Sequence, residues 1–361
     1  MPLLVLSAGA VRDLLGFAEC ADAMRQVLAA RARGEVFQPL RSVLRPTGAA
    51  GLMALMPSYQ SGPAAGYGLK AICITPGNPA AGLDSHQGIV LLSSPRTGEP
   101  LAVLNASAVT EIRTAAVSAV ATSLLARPDA DVLAVIGTGV QAKAHVQAIA
   151  ATRPLAQVRV AGSSPAKAAR FASQTAPAAL AEVAARARAA RHAEGGARSR
   201  GDGQAAARAG QVPVVACESA RDAVDGAGIV VTATSSAAPV IDREWLAPGA
   251  HINAVGACLP QAREIDTATM AAAAIFADSR ESLLAESGDY LIPAADGLIG
   301  PGHIRAEIGD LLAGLAADGG RRDPDEITVF ESLGLAVEDL AAAGVAYRAA
   351  RDRGAGTWLD F

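Results

Sequence analysis

A buried apolar run that ends in a glycine-rich turn constrains this chain more than any other feature. Residues 132–136 read Val-Leu-Ala-Val-Ile, which predicts a strand buried on both faces, and Gly137-Thr-Gly139 follows directly. A helical pattern resumes at Val140, with Ala144 and Ala148 on the same predicted face. A strand, a tight turn and a helix in this order predict the first βα unit of a parallel, doubly wound sheet.

Three small residues in this stretch form the pattern G-x-G-x-x-A, and each has its own physical use. Gly137 allows a sharp turn, Gly139 lets a pyrophosphate approach the backbone, and Ala142 lets the helix pack closely against the sheet. The first N–H groups and the positive end of the helix dipole then face the phosphates. We therefore predict a dinucleotide site, with a tight turn that binds no ligand as the alternative.

The composition limits the classes of function. A length of 361 residues suggests about two domains, and a net charge of −4 without a basic block outside one loop argues against nucleic acid or an anionic membrane as partner. No apolar run approaches ~20 residues, so we expect no membrane span. The four cysteines are scattered and the histidines lie far apart, which predicts a cytoplasmic protein without disulfides or a metal site.

The first third of the chain does not follow the βα pattern. Ser7 can cap a helix that begins near Ala8, and a second helix is predicted over 17–33. Short strands follow, separated by turn-forming residues, and they predict an antiparallel or mixed sheet. These strands are Arg41–Leu44, Leu52–Met56, Gly68–Ile74, Gly88–Ser93 and Pro100–Leu104.

Strand–helix alternation begins at the glycine-rich turn, after a helix of small residues predicted over 110–126. A segment rich in Ala, Arg and Gly, 175–211, interrupts it as an inserted surface segment. The last helix, to about Arg353, lies outside the alternating part. We predict an α/β fold with a Rossmann-type domain and a discontinuous α+β domain. Their predicted bounds are 127–324 for the first, and 1–126 with 325–361 for the second.

Three cations flanked by apolar residues are candidates for binding an anionic substrate. Arg41 begins a predicted strand, Lys70 lies inside one, and Arg113 opens a predicted helix. A buried charge is costly unless it meets an anion, so each is a ligand-binding cation, a member of an internal ion pair, or a surface residue. Arginine suits a carboxylate, and lysine can also donate a proton when loss of hydration lowers its pKa.

The end of the second nucleotide strand, predicted at 158–161, bears on the choice of cofactor. An NAD site has an acidic residue about 20 residues after the glycines, where it binds the ribose 2′-hydroxyl. This chain has Gly162, Ser163 and Ser164 there, with Lys167 on the next helix. Hydroxyls and a cation without an acid favour a 2′-phosphate, so we predict NADP over NAD. An ordinary loop is the alternative.

Further ligand contacts are predicted where later strands end. Ligands of doubly wound sheets bind outside the carboxyl ends of the strands. Predicted strands at 228–233 and 251–255 end near Thr234, Ser235, Val255 and Cys258. We expect these residues to face the nucleotide or the substrate.

Motifs spread through the chain resemble those of the ornithine cyclodeaminase/mu-crystallin family. They occur in order over nearly the whole chain, except in 175–211. They are Arg113-Thr-Ala-Ala-Val-Ser-Ala, Gly137-Thr-Gly-Val-Gln-Ala, His251-Ile-Asn-Ala-Val-Gly-Ala, Arg263-Glu-Ile-Asp, Asp278-Ser, Glu286-Ser-Gly-Asp and Val329-Phe-Glu-Ser-Leu-Gly-Leu-Ala-Val-Glu-Asp. The resemblance implies a homodimeric enzyme whose discontinuous domain binds substrate and forms the dimer.

The resemblance also implies roles for individual residues. Arg41, Lys70 and Arg113 match the positions that hold the substrate carboxylate and flank the nicotinamide, and Cys258 and Glu286 match positions that line the pocket. With the residues derived above, the predicted cofactor contacts are Ser85, His86, Arg113, Thr114, Gly137, Thr138, Gly139, Val140, Gln141, Gly162, Ser163, Ser164, Lys167, Thr234, Ser235, Val255 and Ser332.

Two departures from the family pattern matter. NADPH-selective members carry Asn-Arg-Thr where this chain has Gly162, Ser163 and Ser164, so the selecting arginine is absent. Cyclodeaminases carry an aspartate at the position of Cys258, where it handles proton and water chemistry. A thiol replaces that acid poorly, so we predict the reductase branch of the family, with Cys258 as a small pocket wall.

The predicted function is NAD(P)H-dependent reduction of cyclic ketimines, 1-pyrroline-2-carboxylate or 1-piperideine-2-carboxylate, to proline or pipecolate. Lys70, Arg41 and Arg113 are its predicted catalytic residues. Two alternatives stay open. One is an amino-acid dehydrogenase, alanine or opine-like, or an ornithine cyclodeaminase using NAD. The other is a non-catalytic, crystallin-like nucleotide-binding protein, which has no need of this trio of cations.

Overall fold

The architecture described here comes from a computed structural model. It describes residues 2–175, 212–317 and 319–361, together with positions 180, 182 and 185. Apart from residue 175 and those three positions, the predicted insertion 175–211 therefore lies outside the described residues.

The chain divides into two compact units. Unit 1 comprises Met1–Thr114 and Gly334–Phe361, and unit 2 comprises Ala115–Leu333. The strands, in chain order, are β1 (Pro2–Leu6), β2 (Val36–Phe37), β3 (Ser42–Leu44), β4 (Leu52–Gln60), β5 (Gly66–Ile74), β6 (His86–Ser93), β7 (Pro100–Asn105), β8 (Val132–Ile136), β9 (Gln157–Ala161), β10 (Val214–Ala216), β11 (Ile229–Thr232), β12 (His251–Ala254), β13 (Ala274–Ala277), β14 (Ile304–Glu307), β15 (Thr328–Glu331) and β16 (Thr357–Asp360).

In unit 2, helices follow most of the strands. In unit 1, helices precede and follow the main run of strands along the chain. They are α1 (Ala8–Leu14), α2 (Phe17–Ala32), α3 (Ala106–Leu125), α4 (Val140–Thr152), α5 (Pro165–Gln174), α6 (Ala220–Val224), α7 (Thr267–Ala272), α8 (Arg280–Glu286), α9 (Gly288–Ala295), α10 (Ile308–Ala313) and α11 (Ala336–Arg353). Ser7 caps α1 as predicted, because its hydroxyl accepts a hydrogen bond from the backbone N of Ala10.

Unit 1 is built on a mixed sheet with the strand order β16-β1-β7-β6-β5-β4-β2, in which β3 also pairs with β4. The strands from β4 to β7 are antiparallel neighbours, which confirms the predicted sheet. The sequence reading missed β1 and β16, which pair antiparallel with Pro2 opposite Asp360. Both are short, and their partners lie at opposite ends of the chain, so no local pattern marks them. The last helix, α11, contacts α2, β4 and β5 of the same unit.

Unit 2 contains a parallel sheet with the strand order β10-β9-β8-β11-β12-β15-β13-β14. The apolar strand β8, which precedes the glycine-rich turn, lies between β9 and β11, where the order of the strands reverses. Ligands bind at the carboxyl ends of the strands beside such a reversal. The sheet confirms the predicted Rossmann-type domain and places the turn Gly137–Gly139 at this point.

The helix around Arg113 begins earlier than predicted. The predicted helix over 110–126 is α3, which starts at Ala106 because the side chain of Asn105 accepts a hydrogen bond from the N of Ala108. Arg113 therefore lies inside the helix and does not open it. Among the described helices, α3 alone is long and apolar enough to cross a membrane, but 78% of its apolar window is buried inside the protein, as in a core helix.

The first turn of α4 also differs from the sequence pattern. Ala144 and Ala148 are fully buried as expected, whereas Val140 is 58% exposed. Val140 is the first residue of α4, directly after the glycine turn, so it projects from the open end of the sheet. Ala142, the last residue of the G-x-G-x-x-A pattern, is fully buried.

We predict that Gly137→Ala lowers the free energy of unfolding, measured by urea denaturation. Gly137 has a φ of 128°, and an added Cβ would lie 2.4 Å from the carbonyl O of Ala233. Backbone strain of this kind costs about 1–3 kcal/mol, and the clash adds to it. Gly139→Ala is the matched control, because no described atom lies within 4 Å of a Cβ built there. Equal stability of the two variants would contradict this account of the turn.

Candidate functional site

Two of the predicted cations lie in a buried ionic cluster of unit 1. The Nζ of Lys70 lies 2.7 Å from Oδ2 of Asp339. The Nε of Arg113 lies 3.0 Å from Oδ1 of Asp339, and its Nη1 lies 2.8 Å from Oε2 of Glu338. All four side chains are almost completely buried. Lys70 and Arg113 are therefore paired internal cations and not surface residues.

The start of α11 places the two carboxylates. Glu338 and Asp339 lie in its first turn, where negative charge is favourable, and Oε2 of Glu338 also accepts a hydrogen bond from the N of Leu335 at 3.1 Å. Gly334 precedes this turn with a φ of 81°, and a Cβ there would lie 2.7 Å from Nη1 of Arg113. A glycine is required because the guanidinium lies directly against the backbone.

Burial and neighbouring charges shift the pKa values within the cluster. Burial lowers the pKa of Lys70 to about 8, although Asp339 opposes this effect. Burial would raise the pKa of Asp339, but Lys70 and Arg113 together hold it below its usual range. Burial raises the pKa of Glu338, against the influence of Arg113. Lys70 is thus charged at neutral pH but close to releasing its proton.

The third predicted cation, Arg41, lies near this cluster. Its Nη2 donates a hydrogen bond to the carbonyl O of Gly334 at 3.2 Å, and its charge contributes to lowering the pKa of Lys70. Arg41 is half-buried and immediately precedes β3. Three cations and two carboxylates thus lie close together in unit 1.

The remaining predicted contacts of unit 1 lie on two elements. Ser85 and His86 stand at the start of β6, where Oγ of Ser85 and Nδ1 of His86 are 3.0 Å apart. The carbonyl O of His86 accepts a hydrogen bond from the hydroxyl of Ser107. Thr114 follows Arg113 on α3 and is buried.

The glycine turn of unit 2 fits a diphosphate. Gly139 is the N-cap of α4 and makes no side-chain cap, and the space in front of it is open. The first N–H groups of a helix have no partner within the helix, so an anion can take that place. Thr138 and Gln141 flank this cradle. A Cβ at Gly162 would lie 2.8 Å from Cγ2 of Thr138. The loop of residues 162–164, which we call the ribose loop, therefore adjoins the glycine turn.

The ribose loop places hydroxyls and a cation together. Ser163 is exposed, and its Oγ accepts a hydrogen bond from Nζ of Lys167 at 2.9 Å. Ser164 caps α5 through a hydrogen bond from the N of Lys167. No acidic residue follows β9 in this loop, which is fully described.

The later strand ends carry the other predicted contacts. Thr234 and Ser235 follow β11, Val255 follows β12, and Ser332 follows β15. The Sγ of Cys258 lies 3.4 Å from the carbonyl O of Val255 and 3.6 Å from that of Ser332. The Oγ of Ser332 is buried without a hydrogen-bond partner among the described residues, which suits a ligand hydroxyl or amide. Glu286 ends α8 and is half-buried.

Buried carboxylates that the sequence reading did not single out lie behind these strand ends. Glu264 accepts hydrogen bonds from the N of Thr234 and the N of Gly256. Asp289 accepts hydrogen bonds from the N of Glu264 and the N of Ile265, and Ser287 donates one to Glu331. Glu338 and Asp339 in unit 1 are likewise buried carboxylates that the sequence patterns did not single out. Both sets fall within quoted family motifs, but only the fold reveals their partners.

Burial raises the pKa values of the unit 2 carboxylates. It raises that of Asp289 to about 7, and Glu264 acts in the same direction. Burial together with Asp289 raises the pKa of Glu331 well above its usual value. Among the described residues, no three His, Cys, Asp or Glu side chains form a metal-binding group.

We predict that Asp289→Asn makes the protein progressively more stable than the parent as pH rises from about 5 to about 8. The folded protein keeps the Asp289 proton up to about pH 7, whereas the unfolded side chain releases it near about pH 4. The folded state binds more protons in this window, so the parent loses stability as pH rises. Asparagine removes the titration and can still accept both backbone hydrogen bonds.

The measurement is the difference in melting temperature between variant and parent across this pH range. Asp352→Asn, which changes an exposed carboxylate on α11, is the control. A constant difference for Asp289→Asn would show that Asp289 does not titrate in this window.

Known proteins resemble this chain over nearly its whole length. The chain matches the model described as "Ornithine cyclodeaminase/mu-crystallin family" over residues 2–198 and 196–354. Ketimine reductase mu-crystallin of Mus musculus is 36% identical over 314 residues, covering 87% of this chain and 85% of that protein. A Delta(1)-pyrroline-2-carboxylate reductase of Bacillus cereus is 34% identical over 360 residues, covering 99% of this chain and 100% of that protein.

The same likeness extends to a solved structure. Delta(1)-pyrroline-2-carboxylate reductase of Thermococcus litoralis, in complex with NADH and L-proline, superposes with a TM-score of 0.84 and 32% sequence identity. The superposition covers 98% of this chain and 99% of that chain. The fold of both units is therefore shared with that protein over almost its full length.

Proposed function

Because the chain belongs to the ornithine cyclodeaminase/mu-crystallin family, we propose that it is an NAD(P)H-dependent reductase of cyclic ketimines. Its substrates are 1-pyrroline-2-carboxylate and 1-piperideine-2-carboxylate, which it reduces to L-proline and L-pipecolate. The relatives named as ketimine and pyrroline-carboxylate reductases support this choice. The observation that carries the proposal is the buried cluster of Arg41, Lys70 and Arg113 with Glu338 and Asp339.

The cations of the cluster suit the carboxylate that both ketimines carry. Arg41, Lys70 and Arg113 lie close together in unit 1, and their positive charges can attract the substrate carboxylate. A planar guanidinium can hold a carboxylate in one orientation through paired hydrogen bonds. We assign Arg41 and Arg113 to the substrate carboxylate, with Cys258 and Glu286 lining the pocket. Orientation of this kind lowers the entropy cost of the reaction.

Lys70 supplies the proton in this proposal. Bound NAD(P)H provides a hydride for the imine carbon, and the ring nitrogen must take up a proton for the C=N bond to become CH–NH. Lys70 carries a proton at neutral pH and, with a pKa of about 8, can release it. Asp339 stabilises the charged lysine before transfer, since its Oδ2 lies 2.7 Å from Nζ.

The proposed nucleotide contacts are those predicted from the sequence. We assign the diphosphate to the turn of Gly137, Thr138, Gly139, Val140 and Gln141. The nicotinamide and its ribose are assigned to residues at strand ends and on β6 and α3, namely Thr234, Ser235, Val255, Ser332, Ser85, His86, Arg113 and Thr114. We propose NADPH as the favoured cofactor, because Ser163, Ser164 and Lys167 can hold a 2′-phosphate, and NADH as a possible second.

We also propose a function for each domain and a homodimeric assembly. Substrate binding and dimerisation are assigned to 1–126 with 325–361, and nucleotide binding to 127–324. Exposed apolar side chains on the sheet of unit 1 support a homodimer, and they include Phe37, Val43, Leu44, Met53 and Ile89. None of the four cysteines, all of which are described, forms a disulfide, which supports a cytoplasmic location.

The proposal is tested by following the absorbance of NADPH and NADH with each ketimine. We expect rapid oxidation of the reduced cofactor, faster with NADPH than with NADH. Cofactor binding without oxidation would overturn the reductase. Reversible oxidation of alanine would then indicate a dehydrogenase, ammonia release from ornithine a cyclodeaminase, and binding without any turnover a crystallin-like protein.

We predict that Asp339→Asn moves the alkaline limb of the pH profile of kcat/KM to lower pH. Asp339 raises the pKa of Lys70 towards its usual value, so loss of its charge lowers that pKa below about 8. The protonated lysine is then lost at a lower pH, and with it the proton donor. The measurement is the rate of ketimine reduction from about pH 6 to about pH 10, with the fold checked by melting temperature.

Glu338→Gln is the matched control for this prediction. It removes a neighbouring carboxylate from the same turn, but Glu338 pairs with Arg113 and not with Lys70. Glu338 also acts electrostatically on Lys70, so we expect the alkaline limb of Glu338→Gln to move less than that of Asp339→Asn, whose carboxylate lies 2.7 Å from Nζ. An unmoved limb in folded Asp339→Asn would exclude Lys70 as the titrating proton donor.

A further inference from the structure

The carboxylate of Glu264 joins the ends of two neighbouring strands in unit 2. Its Oε1 accepts a hydrogen bond from the N of Thr234 at 2.6 Å, just after β11. Its Oε2 accepts one from the N of Gly256 at 2.6 Å, just after β12. Each oxygen holds a separate backbone N–H, so this one side chain fixes the spacing of two loops.

The two loops approach each other closely around this carboxylate. A Cβ at Gly256 would lie 2.2 Å from the carbonyl O of Thr234 and 2.6 Å from Oε2 of Glu264. Any side chain at position 256 would therefore push the loops apart. The strand ends and the carboxylate pack as a single piece.

Glu264 is itself held in place by another carboxylate. Asp289, in the first turn of α9, accepts hydrogen bonds from the N of Glu264 and the N of Ile265, both at 2.8 Å. The carbonyl O of Glu264 accepts a further hydrogen bond from the N of Val240 at 2.7 Å. Glu264 is fully buried, so its orientation follows from these contacts and not from solvent.

Burying an acidic side chain is costly, and the bonds it makes indicate what the arrangement achieves. Glu264 contacts the backbone of loops whose outer residues are Thr234, Ser235 and Val255. It makes no cation pair among the described residues. Its hydrogen bonds therefore serve the shape of the two loops.

We propose that Glu264 is a positioning residue that holds the loops after β11 and β12 in the arrangement that binds the nicotinamide half of the cofactor. This inference rests on the proposed function, which assigns Thr234, Ser235 and Val255 to that half. Glu264 does not contact the cofactor itself. It acts through the backbone N–H groups of Thr234 and Gly256.

The test is Glu264→Gln, with binding of NADPH measured by calorimetry in the absence of a ketimine. The amide NH2 of glutamine places a donor against a backbone N–H, so one hydrogen bond is lost and replaced by repulsion. We expect the Kd for NADPH to rise by about tenfold or more, the scale of one lost hydrogen bond to a charged group. The Kd for adenosine 2′,5′-bisphosphate, which lacks both the nicotinamide and its ribose, should stay at the parent value.

Asp266→Asn is the matched control. Asp266 also accepts two backbone hydrogen bonds, from the N of Ala268 and the N of Thr269, but it caps α7 and touches neither loop. We expect it to bind both ligands as the parent does. Glu264→Asp keeps both acceptors on a shorter side chain, and it replaces Glu264→Gln if that variant does not fold. It should weaken NADPH selectively.

Unchanged NADPH binding in the folded Glu264 variant would overturn the inference. An equal loss of affinity for NADPH and for adenosine 2′,5′-bisphosphate would also overturn it, because it would show a general structural role. Failure of the proposed function is a separate result, since the parent would then bind NADPH without oxidising it in the presence of either ketimine.

Discussion

The buried contact of Asp339 with both Lys70 and Arg113 is the interaction on which the chemistry of unit 1 depends. Two cations buried without it would lose much of their hydration with little in return, a situation that costs several kcal/mol per ion. The aspartate lies in the first turn of α11, where the helix dipole favours its charge. The last helix therefore supplies the counter-charge for a strand and a helix far earlier in the chain.

Unit 2 also contains buried carboxylates, but these accept hydrogen bonds from backbone N–H groups and, within the described part of the chain, do not pair with cations. Its glycine turn leaves backbone N–H groups open for a diphosphate, whereas Glu264 and Asp289 occupy the backbone N–H groups of neighbouring loops. Burial raises the pKa values of both carboxylates, against the effect of the backbone N–H groups from which they accept hydrogen bonds.

Much of the fold could be predicted from local sequence patterns. The contacts that could not be predicted in this way join residues that lie far apart in the chain. The bounds of β8 follow from an apolar run buried on both faces, and the strands from β3 to β7 follow from their turn residues. The pairing of β1 with β16 joins opposite ends of the chain, so no window of sequence contains it. The three cations suggested an anion, but the sequence did not indicate Asp339, more than 200 residues from Lys70. Likewise, Glu264 lies in a recognisable motif, but the sequence does not indicate which backbone N–H groups donate hydrogen bonds to it. The pairing of β11 with β12 brings those groups together.

The discontinuity of unit 1 has a consequence for synthesis. Unit 2 is one continuous segment, Ala115–Leu333, so all of its parts are synthesised before Gly334–Phe361. Unit 1 needs Gly334–Phe361, which carry the counter-ions of Lys70 and Arg113 and the edge strand β16. Until these residues are synthesised, its two central cations have no carboxylate from α11. We expect the nascent chain to fold unit 2 before it completes the ionic core of unit 1.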